Sequence, residues 1–425
     1  MSSTIFVSDG IEASPFLDSA VVPASDYIQG AMADAAPGTT VMNVGDDHAY
    51  GTPGYYVSLL AEARGHRPVP NTRDILAWGR KGNNGRARGI PTFDPSSLAA
   101  GAAVRRNAPE RSHAPSRSAH GFARFKVGVL STDGEPYGAS SASSIGDFAR
   151  SCDAFGLDVV MLGKTQIDEL DDMDALFIRD LADPAGHTYS FARRAADLRM
   201  PVVDDPVSII GCSDKVFVHE RLTRHRVPVP RAVVMTPDLP IEAAIERLGL
   251  PLVLKIPDGS FCIGVHQVRS VGEGRRLLSE MRRHHPVLLA QEYLPTEFDW
   301  RIGMLDGSLL FACKYFMARD HWQVLKYRPE GPPEQGDVAS VALAEVPHAL
   351  LDCASRAAAA MGNGLHGIDI KEHDGGYRVI EVNCNPDMDS GFEVAEREWA
   401  RLAEWFRDGI EKMRGADRRV CALSA

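Results

Sequence analysis

The sequence predicts an α/β protein of more than one domain, and three stretches carry that prediction. From Phe125 to Val203 short apolar runs alternate with helical segments, the pattern of a parallel sheet with helical crossovers. Residues 40–66 show the same alternation on a smaller scale. Residues 364–386 read as a β-hairpin closed by Asp374-Gly375-Gly376. A chain of 425 residues is also too long for one small core.

Taken in order, Thr40–Val44 is a short strand ending in Gly45-Asp46-Asp47. Pro53-Gly54 opens a helix over Tyr55–Arg64, and Gly65 closes it. Tyr55 and Tyr56 fit core and rim positions of this unit. Residues 80–121 break the pattern: Arg80–Gly89 is basic and glycine-rich, and Arg105–Arg117 is polar with prolines. So few apolar anchors suit a solvated, flexible linker; the other reading is a basic docking segment for an acidic substrate or RNA. Strands then follow at Lys126–Leu130, Asp158–Leu162, Ala175–Ile178 and Pro201–Val203, with helices over Ser144–Phe155 and Tyr189–Leu198. The loop Ser131–Gly138 follows the first strand, where such sheets place ligands.

Ser213 or Asp214 caps a helix from Lys215 to His225. A strand at Arg231–Met235 and a helix over 241–248 lead to the strand Leu252–Ile256. Lys215 stands at a helix start, which the helix dipole disfavours, and Lys255 sits inside an apolar strand. A surface lysine and an edge-strand lysine reaching water are the bland alternatives. The loop Asp258–Gly264, which contains Ser260, is glycine-bearing, so its backbone N–H groups can close over phosphates. Val287–Pro295 is a strand leaving the core. Asp299–Leu305 pairs through Asp306-Gly307 with Ser308–Phe316, and Arg301 and Lys314 fall on these strands. Both are expected to face one ligand; an exposed cross-strand basic pair is as good a reading of either alone. His321 and Lys326 in the following segment line the acceptor side in one reading and lie at the surface in the other, and amphipathic helices are expected over 345–361 and Glu393–Met413.

In the hairpin, Asp369 lies on the outgoing strand, and Glu381 and Asn383, two apart, point to one face of the returning strand. Two carboxylates and a carboxamide amid apolar neighbours suit Mg²⁺, which takes hard oxygen ligands together with nucleotide phosphates. A solvated acidic sheet face is the alternative.

Gly367-Ile368-Asp369 with Glu381-Val382-Asn383-Cys384-Asn385-Pro386 resembles the magnesium motif of the ATP-grasp superfamily. Asp387–Glu393 resembles its RimK-like branch of ATP-dependent carboxylate–amine ligases. Gly54–His66 and Arg179-Asp180-Leu181 resemble the subgroup with an added N-terminal domain. The resemblance covers about residues 35–79 and 125–405 and implies an ATP-grasp fold. That fold has a parallel-sheet pre-ATP-grasp domain and two α+β lobes, here behind an N-terminal α/β domain. It implies ATP and Mg²⁺, or Mn²⁺ in its place, held by Asp369, Glu381 and Asn383. It directs Lys215 and Lys255 at the phosphates, with Ser260 in the covering loop. It places adenine against the strand Gln291, Glu292, Tyr293 and Leu294, and the ribose on Glu297. Arg301 and Lys314 become the catalytic cations. The domains implied are 1–79, a linker over 80–121, 122–212, 213–415 and a tail over 416–425.

The activity implied is amide or peptide bond formation through an acyl phosphate, with release of ADP and phosphate. The substrates implied are an amino acid or peptide, with a protein acceptor left open, as is homo-oligomerisation. A non-catalytic ATP-binding module and a small-molecule kinase are the rival readings. A net charge of −11 argues against nucleic acid as partner. No apolar run reaches membrane-spanning length, and Met1–Thr4 lacks the basic start of a signal peptide. Seven cysteines without Cys-x-x-Cys spacing read as reduced thiols of a cytoplasmic protein.

Overall fold

The computed structural model describes residues 4–8, 21–81, 124–132, 138–328, 330, 332–362 and 364–423. They fall into two units. The linker expected over 80–121 lies, beyond Lys81, outside the described residues, as does Asp133–Tyr137 of the loop after the strand Phe125–Leu130. Among the described residues no helix is long and apolar enough to cross a membrane.

The first unit comprises 1–94, 214–295 and 378–380. Its N-terminal sheet is parallel, in the order Val21–Pro23, Thr4–Ser8, Thr40–Asn43, Arg67–Val69. The expected helix spans Pro53–Ala63, with Pro53 in its first turn and the Thr52 side chain accepting from the Tyr55 amide. Both are starts that leave no N–H wasted. Its other sheet is antiparallel, in the order Val265–Val268, Leu252–Lys255, Leu288–Glu292, Ala232–Met235. The helices Ile241–Leu248 and Val271–Met281 bury Ile241, Ala244, Leu277 and Leu278 against Leu252, Leu254 and Leu288 of that sheet.

The second unit comprises 95–213, 296–377 and 381–425. The predicted parallel sheet is present, in the order Leu157–Leu162, Phe125–Leu130, Ala175–Ile178, Val202–Val203. A second sheet runs Val338–Ser340, Ser308–Phe316, Phe298–Leu305, Leu365–His373, Gly376–Cys384. Phe148 and Phe177 meet Phe406 at ring-centroid distances of 6.0 and 5.8 Å, which seals the parallel sheet with the helices Ala142–Ala154 and Glu396–Leu423. That last helix runs to Leu423, through much of the stretch expected to be a tail.

Both hairpins of the second sheet turn on two residues with positive φ, Asp306-Gly307 (48° and 73°) and Asp374-Gly375 (49° and 69°). That is the type I′ geometry whose twist matches the strands. The pairing Phe298–Leu305 with Ser308–Phe316 contains a shift at Gly303/Met304: Met304 pairs with Leu309 but Gly303 with Phe311, leaving Leu310 as a bulge. A Cβ on Gly303 would collide with the Phe311 ring.

Candidate active site

The bulge decides which basic residues share a face. Beyond it Arg301 pairs with Cys313 and Lys314 with Trp300. Directly opposed residues project to the same side and neighbours to opposite sides. The expectation that Arg301 and Lys314 share a face therefore does not hold. Lys314 Nζ sits 4.5 Å from the Phe298 ring centroid and 4.7 Å from that of Trp300, on the other side of the sheet.

Arg301 also pairs in register with Asp369, and so shares its face. The guanidinium donates through Nε to Asp369 Oδ1 and through Nη2 to Oδ2 at 3.0 Å. Asn383 Nδ2 donates to the same Oδ2 at 3.1 Å and to the Gly367 carbonyl at 3.3 Å. Burial raises the Asp369 carboxyl above its ordinary range, Arg301 pulls it back down, and Glu381 lies near enough to push it up again. Burial opposes the charge on Arg301, yet Asp369 and Tyr315 beside it hold its pKa well above normal. The three predicted metal ligands are thus brought together on one sheet face. All are hard oxygen donors on rigid strands, two of them anionic, and their mutual repulsion is offset by one guanidinium. That donor set fits Mg²⁺. Lys371, two residues beyond Asp369, shares this face and donates to Asp299 Oδ1 at 2.6 Å and Thr296 Oγ1 at 2.8 Å. The strand's period of two marks it as a residue of that face.

The strand carrying Glu381 and Asn383 ends in a clamped corner. Arg179, fully buried, donates to Asn385 Oδ1 at 2.6 Å, the Pro386 carbonyl at 2.7 Å, Ser140 Oγ at 3.1 Å and the Ala139 carbonyl. Burial lowers its pKa to about 10. Asn385, at φ 49°, donates through Nδ2 to the Asp180 carbonyl at 2.5 Å, and its amide donates to Asp204. Asp204 also accepts from the Leu365 amide at 3.2 Å, so it ties together the start of one hairpin strand and the end of the other. Burial raises its carboxyl to about 7. An acid with a raised folded pKa stabilises the fold below its unfolded pKa, and that contribution is lost as pH rises towards 7. The native chain should therefore gain several degrees of Tm between pH 8 and pH 5.5, and Asp204→Asn should flatten the profile. Parallel melting curves for the two proteins would sink this assignment.

The residues expected to hold nucleotide divide between the units. In the first, Lys215 begins the helix Lys215–Arg224, capped by Asp214, whose carboxylate accepts from Val216 and Phe217 at 2.9 Å. Lys215 Nζ donates to the Gly259 carbonyl of the glycine-bearing loop. Tyr56, buried as expected, donates to Asp214 Oδ2 at 2.9 Å, so the N-terminal sheet domain helps fix the helix that presents Lys215. Lys255 donates to Gln291 Oε1 at 2.7 Å across neighbouring strands, both side chains buried. In the loop, Phe261 and Cys262 stand consecutively at φ 53° and 62°, a conformation non-glycine residues seldom adopt. Ser260 in the same loop is exposed. The Glu292 carboxylate is taken by Arg231 at 2.7 Å and its amide donates to the Arg231 carbonyl at 2.9 Å. The backbone of Tyr293 and Leu294 follows that strand end. In the second unit Glu297 is exposed.

Two family models match the chain: the RimK-like ATP-grasp N-terminal domain over residues 24–85 and the RimK-like ATP-grasp domain over 212–397. Among curated proteins, a glutamate–LysW ligase of Sulfolobus acidocaldarius is 27% identical over 202 residues, 45% of this chain and 66% of that protein. A D-alanine–D-alanine ligase of Gloeobacter violaceus is 30% identical over 185 residues, 41% of this chain and 58% of that protein. A probable α-L-glutamate ligase of Rhodopirellula baltica is 23% identical over 232 residues, 54% of this chain and 55% of that protein. The chain thus spans between about half and two thirds of the length of these relatives. In fold it is similar to a solved D-alanine–D-alanine ligase of Bacillus anthracis, with a TM-score of 0.55 and 16% identity over 69% of this chain and 99% of that one. The same enzyme complexed with ATP gives a TM-score of 0.54 at 16% identity, over 69% of this chain and 99% of that one.

Proposed function

Since this chain carries the two RimK-like ATP-grasp domains, we propose that it is an ATP-dependent carboxylate–amine ligase. A substrate carboxylate oxygen attacks the γ-phosphorus of ATP, the bond to the leaving ADP oxygen breaks, and an acyl phosphate forms. The amine nitrogen then attacks the acyl carbon, the bond from that carbon to the phosphate oxygen breaks, and the nitrogen gives up a proton. The products are an amide, ADP and phosphate. The observation that carries this reading is the single sheet face holding Asp369, Glu381, Asn383 and Arg301. Divalent ions held by the first three would neutralise phosphate charge and align it for transfer.

The protein's own part is position and charge. Arg301, fixed by Asp369, keeps one positive charge on the site face. Lys215 and Lys255 supply two more on the nucleotide side, with Ser260 in the loop over the phosphates. Gln291, Glu292, Tyr293 and Leu294 border the adenine, and Glu297 takes the ribose. Substrates are amino acids or short peptides, with the ligase core at 213–415, the N-terminal domain at 1–79 and the cytoplasm as the compartment.

The test is phosphate and ADP release with pairs drawn from the twenty amino acids, D-alanine and short peptides. ADP formed only when both an acid and an amine are present is the expected result, and hydroxylamine should trap the acyl group as a hydroxamate. AMP and pyrophosphate as products would mean adenylation and would end this reading. A phosphorylated small molecule accumulating without any amine would make the protein a kinase.

A further inference from the structure

The helix that presents Lys215 is held by the N-terminal sheet domain at its start, its middle and its end. At the start, the Tyr56 hydroxyl donates to Asp214 Oδ2 at 2.9 Å. Midway, the fully buried Arg64 donates through Nε to Glu220 Oε1 at 2.7 Å, while its Nη1 donates to the Tyr27 carbonyl at 2.7 Å. At the end, Arg224 Nη1 donates to the Ala33 carbonyl at 2.8 Å. The glycine-bearing loop is tied to the same domain, since Tyr50 donates to Asp258 Oδ2 at 3.4 Å.

The tie at the start differs from the others in what it acts on. Tyr56 is 4% exposed and Asp214 2%. Asp214 Oδ1 accepts from the Val216 and Phe217 amides, both at 2.9 Å, so one carboxylate caps the helix and also takes the phenol. Lys215 is the next residue. Its amide donates to the Pro257 carbonyl at 2.8 Å and its ammonium to the Gly259 carbonyl, so main chain and side chain both address the glycine-bearing loop.

A phenylalanine at position 56 would fill the same core site and keep the edge-on contact with the Tyr55 ring at 5.5 Å. The hydroxyl is what packing alone does not require. Burial raises the phenol well above its ordinary pKa, so it stays a donor near neutral pH. Burial also lifts the Asp214 carboxyl to about 6, and the hydrogen bond from Tyr56 is one of the contacts that pull it down. The phenol thus helps to keep the cap anionic. A lysine in the first turn of a helix is opposed by the helix dipole, and an anion beside it offsets that opposition. Placement of such a group matters because phosphoryl transfer is sensitive to shifts of about 1 Å.

We propose that the N-terminal domain is a working part of the nucleotide site, with Tyr56 a positioning residue that acts through Asp214 to set where Lys215 meets the ATP phosphates. The proposal rests on the ligase reading given above, in which Lys215 faces the nucleotide. It makes nucleotide affinity depend on a hydroxyl outside the ATP-grasp segment, one that touches no substrate.

Calorimetric binding of Mg²⁺ with the β,γ-imido analogue of ATP to the full chain tests this. Tyr56→Phe should weaken binding about tenfold, the scale of one lost hydrogen bond to a charged group. Lys215→Met should weaken it as well, and should fold, since it removes a cation that the helix start disfavours. The double variant Tyr56→Phe, Lys215→Met should bind within about twofold of Lys215→Met alone, because the hydroxyl acts through the lysine. Tyr27→Phe is the control. It removes a buried hydroxyl that meets His66 Nδ1 at 3.0 Å inside the same domain, and it should leave affinity at the native level.

Native affinity in Tyr56→Phe overturns the proposal and leaves the ligase reading standing. A loss that persists undiminished on the Lys215→Met background overturns it too, as does an equal loss in Tyr27→Phe, since either makes Tyr56 a structural residue. Native affinity in Lys215→Met overturns it by removing the group through which Tyr56 acts. A native chain that does not bind the nucleotide means that the ligase reading itself has failed.

Discussion

Glu381→Gln should lower Mg²⁺-dependent ADP release by about a hundredfold or more, the scale expected when one preorganised electrostatic group is lost. Glutamine keeps the shape and an oxygen donor but removes a negative charge that offsets the cations. The fold should survive the change. Glu381 adds to the electrostatic load on Asp369, so neutralising it relieves repulsion when no metal is present. Asn383→Asp gives the contrast. It retains an oxygen donor and should be milder, although it exchanges the amide that now donates to Asp369 at 3.1 Å for a third anion on that face. Turnover and thermal unfolding measured together decide the matter. Normal turnover in Glu381→Gln, or a loss that merely follows unfolding, would reduce the hairpin to a structural element.

Arg301→Ala should fail on both counts. The guanidinium makes two hydrogen bonds to a buried acid, and removing one partner of a buried pair leaves the other uncompensated, a cost of about 3–5 kcal/mol. The Asp369 carboxyl would then be pushed further up, because burial already raises its pKa and Arg301 is the group that lowers it. A carboxyl shifted in that direction, on a face that has lost its cation, serves a divalent ion and phosphate less well, so ADP release should drop by about a hundredfold or more. The double variant Arg301→Met, Asp369→Leu separates the two losses. It should regain most of the lost melting temperature and none of the activity, since an apolar pair of similar volume can replace a buried ion pair. An Arg301→Ala protein that melts with the native one would show that the pair carries no such load.

Much of this was legible in the sequence, and residue pairs show why. Asp369, Glu381 and Asn383 could be read because a strand's period of two and an Asp-Gly turn fix which side chains share a face. Lys255 could be picked out because a lysine in a fully apolar run is itself an anomaly, although its partner Gln291 depended on strand register. Lys314 could not be placed. A regular ladder from the Asp306-Gly307 turn would set Lys314 on the Arg301 face, and the single bulged residue Leu310 moves it to the other. Nothing local announces that bulge except the glycine at 303. The Arg179 clamp was hidden for a different reason: its partners Asn385 and Pro386 lie more than 200 residues away. Such distances are closed by the fold and leave no trace in the spacing.

The same clamp limits how this chain can be divided. The matched ATP-grasp segment begins at residue 212, but the corner that ends the strand Gly376–Cys384 is tied by Ala139, Ser140, Arg179, Asp180 and Asp204, all upstream of that point. Excised at 212, the segment would keep Asp369, Glu381 and Asn383 and lose the ties that aim the last two. The piece that carries this sheet face, as a unit that could be transplanted whole, therefore includes the parallel sheet from Phe125 onward. The position of Asn383 is a property of that larger piece and not of the motif that contains it.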